Sequence, residues 1–135
     1  MGIKTVGRFT YDSATAVTLA AGDTIPVPNS TVSNKCVSCD GENITINNSG
    51  LYQIMANFTF AATAEGPVET QMYRNGNALP AAHAIDTAAA SGNLVSQAFS
   101  ALVTVPCNAP QATINVKALS ATSVRIANII VVKIA

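Results

Sequence analysis

Charge is scarce in this chain: seven Lys and Arg balance seven Asp and Glu, and charged residues make up 10% of the 135 positions, against a usual ~25%. The balance excludes whole classes of partner. There is no basic field to track phosphates and no polybasic segment to hold an anionic bilayer, so neither nucleic acid nor membrane is expected as a partner. Tryptophan is absent, which removes the commonest stacking platform for sugars. No run approaches the ~18 apolar residues of a membrane span, and Met1-Gly2-Ile3-Lys4-Thr5-Val6-Gly7-Arg8 lacks the apolar core of a signal peptide. That start also lacks the Ser or Thr that N-myristoylation wants where Val6 stands. Cysteines number three, Cys36, Cys39 and Cys107, and an odd count argues against a closed disulfide framework.

What is present is apolar. Hydrophobic residues reach 49%, too many for a disordered chain and unusually many for a free monomer, which points to an oligomer. The length suits a single domain, 1–135, with residues 1–7 as a short N-terminal arm. A domain of this size buries roughly 68% of its unfolded surface and needs no metal or disulfide to hold a core.

Strand signals dominate. β-Branched residues fill the apolar positions, and Gly, Pro, Asn and Asp punctuate them about every ten residues. From Leu51 to Phe60, Tyr52, Ile54, Ala56, Phe58 and Phe60 share one face, which is the core face because it is aromatic. A second long strand runs from Leu94 to Val105, with Val95, Phe99, Ala101, Val103 and Val105 in phase. A third covers Ala112 to Leu119, and shorter ones are expected at Lys4 to Tyr11, Lys35 to Cys39, Asn43 to Ile46 and Val68 to Arg74. The segments Ala20 to Ser33 and Leu79 to Asn93 read as loops; Ala81 to Ala90 favours helix on propensity but has no sustained apolar stripe. The last strand, Val124 to Ile134, is apolar on both faces, so something outside the sandwich must cover one of them. The expected fold class is all-β: a two-sheet jelly-roll sandwich of about eight to ten antiparallel strands.

Gly50-Leu51-Tyr52 opening an alternating strand, after Asn43-Ile44-Thr45-Ile46, resembles the Gly-x-Tyr signature of the superfamily joining tumour necrosis factor and the complement globular head. Tyr73-Arg74-Asn75-Gly76 is similar to the strand and turn that follow it there, and Asn128 to Ile134 to the superfamily's final strand. Glu65-Gly66-Pro67-Val68 through Leu79-Pro80-Ala81-Ala82, with Val105-Pro106-Cys107, resembles a bacterial and phage branch containing spore-surface glycoprotein heads and phage head fibre or decoration proteins. The resemblance implies a homotrimer with Met55, three residues after Tyr52, at the axis. It agrees with the strand pattern, which leaves Leu51, Met55, Ile129 and Val131 directed away from the core. The expected trimer interface is therefore Leu51, Gln53, Met55, Asn57, Ile129 and Val131. Relatives with a stalk of Gly-x-y repeats differ from this chain, which has none; attachment through the N-terminal arm or a face of the trimer is expected instead.

Sites for chemistry are weak. Cys36-Val37-Ser38-Cys39 with Cys107 and His83 supplies enough ligands for one zinc, but residues i and i+3 of a strand face opposite ways, and Val37-Ser38 is a poor turn. A disulfide from Cys36 or Cys39 to Cys107 and buried thiols are the other readings. His83, the single histidine, has Asp86 three residues on, in no nucleophile motif, and reads as half of a surface pair. Asp40-Gly41-Glu42-Asn43 reads as a turn, without calcium-loop spacing. Four N-glycosylation sequons, at Asn29, Asn43, Asn47 and Asn57, read as chance without a secretion signal. No catalytic, metal or cofactor site is expected, and no enzyme. The leading functional expectation is a structural phage virion protein, a trimeric capsid decoration or head fibre module contacting a capsid or fibre-base protein. The alternative is a bacterial or spore-surface module that binds a host-surface glycan or protein receptor.

Overall fold

Alternation of apolar and polar residues drives two sheets together, and the computed structural model, which describes residues 6–33 and 36–135, shows which face of each strand turns inward. Ten strands follow in order: β1 (Val6–Leu19), β2 (Asn29–Ser33), β3 (Val37–Cys39), β4 (Ile44–Ile46), β5 (Gly50–Ala61), β6 (Gly66–Arg74), β7 (Asn77–Ala88), β8 (Leu94–Val105), β9 (Ala112–Ala118) and β10 (Thr122–Lys133). They form two five-stranded antiparallel sheets, ordered β2-β1-β10-β5-β8 and β3-β4-β9-β6-β7. No helix occurs among the described residues. Residues 1–5 of the expected arm lie outside them, while Val6 and Gly7 open β1.

The core is what the alternation of β5 and β9 requires. Tyr52, Ile54, Ala56, Phe58 and Phe60 of β5 meet Ala112, Ile114, Val116 and Ala118 of β9, all buried. Phe58 stands between Phe60 and Phe99, with ring centroids 5.8 and 6.0 Å apart. One polar bridge crosses the core: Thr70 Oγ1 donates to Gln97 Oε1 at 2.7 Å, and Gln97 Nε2 donates to the Val68 carbonyl at 2.7 Å. The pairing leaves no unmet acceptor where β6 faces β8.

The Gly-x-Tyr motif has a physical reason. Gly50 has φ +144, and a Cβ there would stand 2.7 Å from the Ala135 carbonyl oxygen, because the chain beyond β10 pairs with the start of β5 through Leu51 N–H to Ala135 O. Two residues on, Tyr52 is fully buried and its hydroxyl donates to the Asn48 carbonyl at 2.8 Å, tying the preceding turn to the strand.

Three expectations are corrected. The Leu79 to Asn93 segment is largely strand β7, neither loop nor helix, because its residues pair with β6 from Gly66↔Ala88 to Arg74↔Asn77. The alternation is hidden by an excursion at residues 79–82, where Ala81 takes φ 63 and Gln71 Nε2 donates to the Leu79 and Ala82 carbonyls. Likewise the Ala20 to Ser33 segment ends in strand β2. The third correction concerns Ile129 and Val131, which are fully buried inside the subunit. In β10, Val124 pairs with Phe60 and Ile126 with Thr59, so Arg125 is an extra residue that reverses the phase of all that follows.

Candidate functional site

The reversal at Arg125 redraws the outward face of the sheet β2-β1-β10-β5-β8. Residues paired across strands share a face, and the register sets four rows over β1, β10, β5 and β8. They are Val6, Val132, Gln53 and Leu102; then Arg8, Ile130, Met55 and Ser100; then Thr10, Asn128, Asn57 and Ala98; and finally Asp12, Ile126, Thr59 and Ser96. Leu51 lies beyond the first row, opposite Thr104.

Of the expected interface residues, Leu51, Gln53, Met55 and Asn57 stand together on this face, and Ile129 and Val131 do not. Their places are taken by Ile126, Asn128, Ile130 and Val132. The strand's apolar character on both sides gave no means of telling the two sets apart; the register does.

The face is apolar along its middle and nearly uncharged. Leu102 is 63% exposed and Ile126 41% exposed, while Met55, Ile130 and Val132 are half-buried by their neighbours. Small residues on β8, namely Ser96, Ala98 and Ser100, lie opposite larger ones on β5, and the mismatch leaves two shallow hollows. One, of about 370 Å³, is bounded by Gln53, Met55, Asn57, Ala98 and Ser100; the other, of about 310 Å³, by Asn57, Thr59, Ser96 and Ala98. Arg8 and Asp12 carry the only charges of the four rows. Arg8 is anchored by its Nε, which donates to Asn128 Oδ1 at 2.8 Å. With one carboxylate and no His or Cys, these rows have no acid–base pair; what they can do is bury apolar surface.

The residues weighed for metal or catalytic chemistry lie elsewhere. His83 Nε2 is 2.6 Å from Glu69 Oε2 across the β6–β7 pair, so its carboxylate partner is Glu69 and not Asp86. The Cys39 thiol donates to the Val27 carbonyl and accepts from the Gly41 N–H. Burial pushes that thiol up, against the pull of the Gly41 N–H, and Asp40 and Glu42 push the same way. Cys36 and Cys107 approach the same turn, Cys36 through its carbonyl to Asn47 N–H and Cys107 through its thiol to Ser49 Oγ at 3.7 Å. Among the described residues no three His, Cys, Asp or Glu side chains come together as a metal-ligand set. Asp40 closes the β3–β4 turn as expected: its carboxylate accepts from the Asn43 and Glu42 N–H groups, at 2.7 and 3.0 Å, and these bonds hold it below the usual carboxylate range.

No protein-family model matches the sequence, and no curated protein matches it. Solved structures do match. Eiger TNF from S. frugiperda superposes with a TM-score of 0.78 at 9% identity, covering 98% of this chain and 93% of that one. Murine APRIL at pH 5.0 gives 0.71 at 13% identity, over 98% of this chain and 100% of that one. The PRD1 vertex protein P5 gives 0.60 at 15% identity, over 100% of both chains. These likenesses show the fold: the chain is a jelly roll of the tumour necrosis factor type, as its Gly-x-Tyr motif and strand order imply.

Proposed function

We propose that the chain is a structural protein of a phage virion, a homotrimeric module that decorates a capsid or heads a fibre, and that it has no enzymatic activity. Its partners on this reading are two further copies of itself and a capsid or fibre-base protein. End-to-end likeness to the PRD1 vertex protein P5 supports the virion setting. The observation that carries the reading is the uncovered sheet face together with the strand that borders it.

Edge strands are hazards, and proteins blunt them. Three of the four edges here are blunted. β2 is five residues long and shifts register against β1; β3 is three residues long; β7 is broken by the excursion at 79–82, which contains Pro80. β8 is the exception. It pairs with β5 through twelve residues without a shift, carries no charge and no proline, and exposes Leu94 by 62% and Leu102 by 63%. At β8 an apolar face that the subunit leaves open meets an edge that β7 of the other sheet approaches but does not pair with, and the two are explained together if a neighbouring copy covers them.

Cyclic closure decides how. Pairing β8 with β8 is self-complementary and generates a twofold, whereas a threefold joins unlike surfaces; on the trimeric reading the β8 edge of one copy lies on the sheet face of the next. Sedimentation equilibrium should give three times the 13.8 kDa subunit mass, and protein analysis of purified phage particles should find the chain in stoichiometric amount. A monomer in solution removes the trimer; a protein confined to uninfected bacterial envelopes or spore coats replaces the virion role with surface recognition.

A further inference from the structure

One member of the four rows is not accounted for by apolar burial. Arg8 is exposed beside Ile130 and Met55, with its Nε tied to Asn128. The only ion pair among the described residues is His83 with Glu69, so Arg8 has no carboxylate. Asp12 shares its strand and face but stands four residues on, about 13 Å at a strand's rise, too far to pair. The Arg8 Nε is satisfied by Asn128, but burying the terminal N–H groups of a guanidinium without acceptors is expensive. A copy that docks on this face must therefore supply oxygen atoms to it.

β8 has no carboxylate to give. What an edge strand does offer is a row of main-chain carbonyls without ladder partners, and a planar guanidinium with several N–H donors suits two neighbouring acceptors. We infer that Arg8 fixes the docking position between copies: anchored by Asn128, its guanidinium donates to main-chain carbonyls on the free edge of β8 in the neighbouring subunit. The inference rests on the trimeric reading above and adds to it the residue that selects the register. It also gives the Arg8–Asn128 bond a purpose, since holding the side chain in advance removes the ordering cost at the moment of contact.

Sedimentation across a concentration series tests this. Arg8→Ala should raise the midpoint for dissociation about tenfold or more, as loss of an anchoring arginine does at interfaces. Arg8→Lys should stay weakened, because it keeps the charge and loses both the fork and the Nε bond. Asn128→Ala should weaken assembly as well, and the double variant Arg8→Ala with Asn128→Ala should be little worse than Arg8→Ala alone, since the two residues act as one unit. Unchanged far-ultraviolet circular dichroism separates loss of assembly from loss of fold. A trimeric wild type that assembles with the same midpoint after Arg8→Ala, or variants whose effects simply add, overturns the inference and leaves the trimer standing. A wild type that sediments as a monomer overturns both.

Discussion

Met55→Asp is the most direct assault on the proposed assembly, and its cost can be worked out in advance. Met55 lies between Ile130 and Ser100 on the outward face, and its own subunit already half-buries it. Full burial of a methionine is worth about 1.5 to 3 kcal/mol, so covering the minority of the side chain that its own subunit leaves exposed contributes about 0.5 kcal/mol per copy, or about 1.5 kcal/mol per trimer. The aspartate forfeits that and adds two penalties. Each carboxylate loses water, at several kcal/mol in a dry site. Three of them about 8 Å apart at an effective dielectric of 20 repel by about 2 kcal/mol per pair, and there are three pairs. The sum exceeds ~10 kcal/mol, enough to leave only subunits at micromolar concentration. The subunit itself should be intact, because the side chain points out of the sheet. Acid should reverse the effect: repulsion and desolvation raise the pKa of the introduced carboxyl in the assembled state, so assembly takes up protons and is favoured as pH falls. The assay is sedimentation velocity of Met55→Asp at neutral and mildly acid pH, with Met55→Leu as the volume-conserving control. A Met55→Asp protein that remains trimeric at neutral pH and low micromolar concentration would refute the axial placement of this residue.

Further expectations concern the subunit. Thr70→Val removes the donor to Gln97 Oε1 inside the core and should cost about 1 to 3 kcal/mol in urea unfolding; a change within ~0.3 kcal/mol would mean that the bridge is not needed. Gly50→Ala must place a Cβ against the Ala135 carbonyl at φ +144, and thermal melting should show a loss of several degrees, larger than that of Gly66→Ala, where the φ of +131 brings a similar backbone strain but the Cβ meets nothing within 4 Å. Asp40 is held below its ordinary range, so its contribution is present above the unfolded-state value of about 4 and is lost as pH falls through its lower folded value. The stability gap between wild type and Asp40→Asn should accordingly be small at neutral pH, because the group is exposed, and close in strong acid; a gap that widens on acidification contradicts the turn's hydrogen bonding.

The strands that could be read from the sequence are those whose environment is uniform along their length. β5 and β9 face the core on one side and a wetter surface on the other, so Tyr52 to Phe60 and Ala112 to Ala118 alternate without interruption. β7 was not readable for two reasons. Its alanines carry little periodic signal and favour helix by propensity, and the excursion at Leu79 to Ala82 shifts its phase midway. What makes it a strand is its pairing with β6, a tertiary fact. β1 extends beyond Tyr11 to Leu19 for a similar reason: between Asp12 and Val17 the pairing with β10 shifts, and Tyr11 Oη donates to the Thr15 carbonyl across the irregular stretch. The core glutamine, Gln97, was also hidden, because a polar residue in phase with Val95 and Val103 signals a wet face unless its partner on the opposite sheet is known.

The surface proposed for assembly was half readable, and the unreadable half has one cause. On β5 the aromatic side had to be the inside, which put Leu51, Gln53, Met55 and Asn57 outside without ambiguity. On β10 both candidate faces were apolar, so the choice depended on counting residues from Val124, and the count fails at Arg125. A charged residue interrupting an apolar run was the available hint, because an extra residue that leaves the ladder can reach water. The expectation that something covers the face does not depend on phase: with Ile126, Ile130 and Val132 on one side and Ala127, Ile129 and Val131 on the other, either choice turns branched apolar side chains outward. Phase decides who stands beside them. Only with Ile129 turned inward does Asn128 turn outward to meet Arg8, and only then does the face carry a cation fixed in advance of contact. A strand apolar on both sides thus marks in sequence the face proposed as an interface, while the polar residue proposed to set its register becomes visible with the bulge.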